Sequence, residues 1–357
     1  MNTTGRYFSL TTFGESHGAC VGGIIDGCPA GIRIDFEHIQ QMIESRKGRA
    51  SISTPRREQD IPQFLSGLLD GVTTGTPIGY IFTNGDKQSS DYDPLKEVYR
   101  PSHADYTYQA RYGIRDHRGG GRASARETVV RVVAGAIATQ ILEQAGIRIL
   151  SYTSQIGTTA LPEKYCEHFT QSQVRNSFTG CPSPEIDEQM YQALLQAREA
   201  GDSLGGVVST VVTGVPAGWG NPIYDKLDAR LASAMLSIGA AKAFEMGTGF
   251  DIVTMKGSEA NDPFDFQEGK VVTTSNHSGG VQGGITNGAT LCFLTAFKPI
   301  ASISLPQKTI NERGERVDLI IEGRHDASVF PRVLPVVDAM TALTLVDFYL
   351  SSLIYKG

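Results

Sequence analysis

Several things are missing from this sequence, and each absence removes a class of protein. The first residues, MNTTGRYFSLTTF, hold no basic segment followed by an apolar run, so no secretory leader is expected. No uninterrupted apolar stretch approaches the roughly 18 residues that a bilayer requires. The expectation is a cytoplasmic protein without a membrane partner. Cysteine is sparse, and Cys20, Cys28, Cys166, Cys181 and Cys292 form an odd, scattered set without C-x-x-C spacing. That pattern fits reduced, buried thiols and carries no metal signal. Net positive charge is lacking as well. With 32 Lys and Arg against 38 Asp and Glu, the formal charge is −6, and the whole-chain balance asks for no nucleic-acid partner. Finally, no low-complexity run and no linker rich in Pro, Gly or Ser divides the 357 residues into autonomous domains.

What the sequence does contain is a repeat. Residues 14–31, GESHGACVGGIIDGCPAG, align without a gap to 201–218, GDSLGGVVSTVVTGVPAG, sharing Gly14/Gly201, Ser16/Ser203, Gly18/Gly205 and a closing Pro-Ala-Gly. A looser echo pairs 121–142 with 323–348, where Gly-Arg opens a segment leading to a long apolar helix. Chance similarity between Gly-rich turns is the alternative. The simpler reading is one fold over 1–357 built from two related halves, about 1–150 and 195–357. GGIID, GYIFT, GVVSTVVT, ATLCFLTAF and VDLIIE read as strands, and GVVSTVVT partly alternates as a half-buried strand should. Helical patterns cover 36–46, 127–145, 185–200, 226–243 and 333–354. Because strands and helices come in irregular groups, the pattern predicts an α+β fold with antiparallel sheets and not a doubly wound parallel sheet.

The first repeat raises a chemical question. Gly14-Glu15-Ser16-His17-Gly18 matches G-x-S-x-G, the nucleophile elbow of serine hydrolases, which needs a strand before it and a helix directly after. A β-like run, ACVGGIID, follows instead, so Ser16 is a weak nucleophile candidate. The second copy carries Leu204 where the first carries His17, so the turn itself does not require histidine. His17 is then either a core histidine satisfied by backbone or a group that moves protons near neutral pH.

Residues 100–131, RPSHADYTYQARYGIRDHRGGGRASARETVVR, hold seven arginines against three acidic residues. Arginine suits planar, bidentate grip on phosphate or carboxylate. The Gly119-Gly120-Gly121 stretch reads as a flexible loop entering a helix through a capping box, Ser124 with Glu127, and a helix N-terminus is a ready phosphate site. The loop is neither a Walker A sequence nor a dinucleotide fingerprint. More arginines stand at 46, 49, 56 and 57. The alternatives are a solvated basic face or a nucleic-acid patch, and aromatic interleaving is confined to Tyr106, Tyr108 and Tyr112. His103, inside the cluster, suits a general acid acting on a phosphate leaving group. Arg324-His325-Asp326 adds a cation and a carboxylate in the second half. For each of these alone, a structural ion pair is the competing account.

Taken together, GESHG, RPSHADYTY, DHRGGGRASARET, KPIAS and GRHD, in this order, resemble the chorismate synthase family from about Gly5 to Tyr349. The resemblance implies a β-α-β sandwich, with long core helices between antiparallel sheets and an internal pseudo-twofold repeat. It also implies a homotetramer, and a lyase that forms chorismate from 5-enolpyruvylshikimate 3-phosphate by 1,4-anti elimination of phosphate, the last step of the shikimate pathway. Reduced FMN is required without net redox change; no domain for an intrinsic flavin reductase is visible, so an external reductase is expected, with NADPH as indirect reductant. By the same resemblance His17 protonates or charge-balances the reduced flavin, His103 protonates the departing phosphate and Asp326 assists proton removal through the flavin N5. Ser16, Arg46, Arg49, Arg100, Ser124, Arg126 and Arg324 would contact substrate. Arg122, Ala123, Ser124, Gly239, Ala240, Gly283, Lys298, Pro299, Ile300, Ala301, Ser302 and Arg324 would contact the cofactor. The chain departs from the family pattern in four places. Ser45–Ser51 is one residue short, and Gly239, Ala123 and Ser328 replace a customary asparagine, serine and cysteine. Losing the asparagine amide removes hydrogen bonds available to flavin.

Overall fold

The computed structural model describes residues 1–48, 60–85, 95–321 and 326–355. The first half contains β1 (Thr3–Thr4), β2 (Ser9–Gly14), β3 (Cys20–Asp26), α1 (Phe36–Ser45), β4 (Gln63–Phe64), the short ladder β5 (Leu68–Leu69) and β6 (Val72–Thr73), β7 (Ile78–Thr83), α2 (Asp105–Tyr112) and α3 (Thr128–Gln144). The second opens with β8 (Arg148–Ile156), β9 (Thr159–Ala160), α4 (Gln171–Asn176), α5 (Pro184–Glu199), β10 (Gly206–Thr213) and α6 (Leu227–Leu236). It continues through β11 (Ala241–Met246), α7 (Gly257–Ala260), β12 (Phe264–Gln267), β13 (Lys270–Thr273), β14 (Val281–Gln282) and β15 (Ile285–Thr286). It ends with β16 (Leu291–Phe297), β17 (Gln307–Ile310), β18 (Arg316–Leu319) and α8 (Leu334–Tyr355).

Two five-stranded sheets result, ordered β1-β2-β3-β7-β4 and β11-β16-β10-β8-β9, with antiparallel pairing throughout. The central triplets β2-β3-β7 and β8-β10-β16 follow the same path. In each, a helix (α1 or α6) comes after the middle strand, and a long one (α3 or α8) after the third. The ungapped sequence alignment lays β3 on β10. The second sheet also recruits Arg148–Ile156, well upstream of residue 195. α3 packs on β2 and β3, α8 on β8 and β10, and the two helices pack on each other between the sheets.

Local chemistry explains most of these elements. Asp35 caps α1 by accepting from the His38 amide at 3.0 Å, and Ile39, Met42 and Ile43 form its buried stripe. α3 and α8 are apolar nearly all round, as helices enclosed on every side should be. Leu334–Ile354 is long and apolar enough to cross a membrane, yet 67% of its most apolar window is buried within the protein. The two helices meet at Gly135, where an added Cβ would lie 2.3 Å from the Ala339 Cβ, so only glycine permits the approach. Asp347 of α8 accepts from the amides of Arg6, Tyr7 and Phe8 and thereby ties the N-terminal strand to the last helix.

Three expectations give way. The helical pattern running to 243 stops at Leu236, because Ala240 turns left-handed at φ 71° and 241–246 pairs with β16. GVVSTVVT is buried on both faces from Val208 to Val212, since the segment before β10 covers the outer face; Ser209 Oγ donates to the Lys164 carbonyl at 2.7 Å. The Ser124–Glu127 capping box does not form. Ser124 instead caps a single 3-10 turn, accepting from the Arg126 amide at 3.4 Å, while Glu127 pairs with Arg131 at 2.8 Å.

Candidate active site

A cavity of about 920 Å³ opens where the two halves meet. Among the described residues its cationic lining comprises Arg46, Arg122, Arg131, Arg230, Lys298 and Arg332, against Glu127 and Asp326. His103 lines the same cavity, with Val329, Val333, Val336, Met340 and Leu343 among its apolar lining. The six cations come from six separate elements or loops of both halves, so only the folded chain assembles them.

Each cation is held by the scaffold. Arg46 donates to the Ala125 carbonyl at 3.0 Å and to Thr128 Oγ1 at 2.8 Å. Arg122 reaches across to β2, donating to Thr12 Oγ1 at 2.6 Å and the Gly14 carbonyl at 3.2 Å. Arg131 donates to Ser237 Oγ at 2.8 Å, Arg230 bridges Asp225 and Asp347, and Arg332 pairs with Asp326. Lys298 Nζ donates to the Ser102 carbonyl at 3.1 Å, and burial with Lys242 nearby lowers its pKa. Such pre-oriented donors bind an anion without first losing side-chain freedom.

Ser16 and His17 lie in the five-residue turn joining β2 to β3, so the chain has no strand-to-helix elbow there and no exposed nucleophile geometry. Ser16 Oγ donates to the Gly119 carbonyl at 3.3 Å. Asn84 secures the turn by donating to the Glu15 and Gly18 carbonyls at 2.9 and 3.1 Å. The glycine loop before α3 is not a slack linker. Gly119, Gly120 and Gly121 hold φ values of 59°, 80° and 53°, and the loop runs between the two histidines. A Cβ on Gly119 would lie 2.4 Å from His17 Cδ2, and one on Gly120 would lie 3.1 Å from His103 Cε1.

Arg100 and Arg126 are not among the cavity's lining residues. Arg100, 7% exposed, grips Asp105 in bidentate fashion, Nε to Oδ2 and Nη2 to Oδ1, both at 2.8 Å. Burial alone would raise the Asp105 pKa, but hydrogen bonds and charges from Arg100 and His103 hold it well below the usual carboxylate range. Arg126 pairs with Asp60 and donates to Asn84 Oδ1 at 3.1 Å, so it braces the wall from behind.

Of the residues singled out from sequence, the cavity brings together Arg46, His103, Arg122, Ala123, Ser124, Gly239, Ala240, Lys298, Pro299, Ile300, Ala301, Ser302 and Asp326. Ser16 and His17 adjoin it through the glycine loop. Gly283 does not line it; it sits in the turn between β14 and β15. Arg49 and Arg324 lie outside the described residues. The sequence reading missed Asp60, Asp105, Arg131, Arg230 and Arg332. Asp105, Arg131 and Arg332 fall inside or beside the quoted arginine-rich segments, whereas Arg230, on a regular helix, gives no local signal.

Fold and site together define an α+β enzyme of two packed antiparallel sheets with a cationic pocket for a small anionic molecule. The family model for chorismate synthase matches residues 8–350. The chain is 51% identical over 354 residues to a chorismate synthase from Porphyromonas gingivalis, covering 99% of this chain and 96% of that one. A chorismate synthase from Parabacteroides distasonis is 52% identical over 351 residues, covering 98% of each. A crystal structure of a chorismate synthase superposes with a TM-score of 0.77 at 30% identity, covering 98% of this chain and 94% of that one. The chain belongs to the chorismate synthase family.

Proposed function

We propose that the protein forms chorismate by 1,4-anti elimination of phosphate from 5-enolpyruvylshikimate 3-phosphate, as a lyase dependent on reduced FMN. The convergence of cations from both halves beside His103 in one cavity carries this reading. Flavin and substrate are both anionic, and a cavity of about 920 Å³ with apolar as well as cationic lining is roomy enough for a flat ring system with a small acid beside it. Arg122-Ala123-Ser124, Gly239-Ala240 and Lys298–Ser302 would hold the cofactor. When bound, reduced FMN would supply electron density to the elimination without net redox change.

The chain's own residues do the rest. Arg46 and Lys298 stabilise charge developing on the departing phosphate. His103 gives it a proton, and His17 balances charge across the glycine loop. Asp326, paired with Arg332, would assist proton removal. Arg49 and Arg324 would add substrate contacts. Reductant arrives from an external flavin reductase drawing on NADPH. Assembly as a homotetramer would cover apolar side chains such as Phe264, Phe266 and Val271 of the β12–β13 hairpin, which stand exposed in the single chain. The test is anaerobic incubation with chemically reduced FMN and 5-enolpyruvylshikimate 3-phosphate. Phosphate and chorismate should appear in equal amounts, and neither appearing with active flavin present would overturn the reading.

A further inference from the structure

The turn 100–105 folds back on itself through Ser102, whose φ of 55° is left-handed, so Arg100, His103 and Asp105 face one another. His103 Nδ1 lies 3.2 Å from Asp105 Oδ1 and 3.0 Å from Arg100 Nη2. The first is an acceptor and the second a donor, so the lone in-plane position on Nδ1 can serve only one. Asp105 accepts from the Arg100 amide at 3.0 Å as well as from its fork, and Arg115 Nη1 stands 3.2 Å from Oδ1. Around the ring are Arg100, Asp105 and, through it, Arg115. Lys298 sits on the Ser102 carbonyl, and Gly120 separates the ring from the turn holding His17.

We infer that Asp105 is a positioning residue for His103: its carboxylate accepts a hydrogen bond from Nδ1–H and leaves Nε2 as the nitrogen that exchanges a proton with the cavity, while Arg100 orients Asp105 and is not a substrate contact. This rests on the acid role proposed above. A ring that donates through Nε2 must end neutral, so Nδ1 carries the remaining proton before and after transfer, and Asp105 Oδ1 is the acceptor within reach. Proton count balances: imidazolium loses one proton from Nε2 to the phosphate oxygen, and Nδ1–H stays on Asp105.

The test begins with the full-length protein labelled with [15N]histidine, free of substrate, with His103 assigned by loss of its signals in His103→Asn. With the ring neutral, Nδ1 should resonate as a protonated nitrogen and Nε2 as a bare one. The reverse pattern would mean that Nδ1 accepts from Arg100, and it would overturn the inference whatever the enzyme's activity. Asp105→Asn should shift the tautomer toward Nε2–H and lower kcat roughly 10- to 100-fold with little change in KM, part of the effect of the acid itself. Asp105→Glu should restore some of both. Loss in KM alone, or an unchanged tautomer in the folded variant, would also overturn it. If Asp105→Asn fails to fold, the wild-type tautomer decides alone. A correct tautomer in a protein that forms no chorismate would refute the proposed function and leave the dyad standing.

Discussion

The two copies of the Gly-x-Ser-x-Gly turn occupy equivalent places in the two sheets and yet face different surroundings. In the first, Ser16 and His17 meet the backbone of a strained glycine loop, and the turn is half-exposed beside the cavity. In the second, Ser203 is buried, its Oγ donates to the Ile300 carbonyl at 2.8 Å, and the Leu204 amide donates to the Ala327 carbonyl at 2.9 Å. One turn packs an ionisable ring against the Gly119 loop, and the other pins the 298–302 and 326–328 segments in place. The two turns share Gly, Ser and Gly at matching positions and differ at Glu15/Asp202 and His17/Leu204, the second of which replaces an ionisable ring with an apolar side chain.

The sharpest way to break this contrast is Gly119→Ala. The new methyl would need the space of the His17 ring at a backbone angle that alanine resists. Turnover should fall by about 100-fold or more, as misplacement of about 1 Å does elsewhere, with the melting temperature lowered only modestly. A loss of turnover below about threefold would show that the loop does not set the histidine. His17→Leu makes the first turn resemble the second. The fold should persist, because Leu204 already fits that frame, while turnover drops by roughly 100-fold. Unfolding of this variant would mean that His17 is a core residue after all.

The helices facing the two sheets differ as well. α3 offers its sheet a carbonyl, Val130, which accepts from Tyr80 Oη at 2.7 Å. α8 offers a carboxyl, Asp338, whose pKa burial pushes up to about 7 despite a hydrogen bond from Ser151. A carboxyl raised in the folded state lends stability that is complete below its unfolded pKa near 4 and is lost as pH rises through about 7. Stability from denaturant titration should therefore decline between pH 4 and 7 by a term on the order of 1–3 kcal/mol. Asp338→Asn should flatten that slope, and an unaltered slope would refute the assignment. The smallest contrast is between the serines. Ser203→Ala should cost about 1 kcal/mol and Ser16→Ala only a few tenths, because the first bond is short and buried. Equal costs would remove the distinction.

Much of this was legible in the sequence because it is written locally. The repeat lays β3 on β10, and residues of the arginine-rich and KPIAS segments line the cavity. Other features were not legible, for reasons of packing. The pairing of Arg100 with Asp105, and of Arg126 with Asp60, is recognisable only in three dimensions. α6 looked longer than it is because an alanine in a left-handed turn has no sequence signature, and the sheet edge offered by β16 outweighed helical propensity. β10 looked half-exposed because the segment that covers it comes from upstream.

The grip of Asp347 on the amides of Arg6, Tyr7 and Phe8 has a practical side. It places Met1 to Gly5 in the lining of the cavity, so an affinity tag fused before Met1 would emerge beside that cavity. A tag of that kind would act as a plug, and kinetic work on this enzyme is best done with the amino end unencumbered.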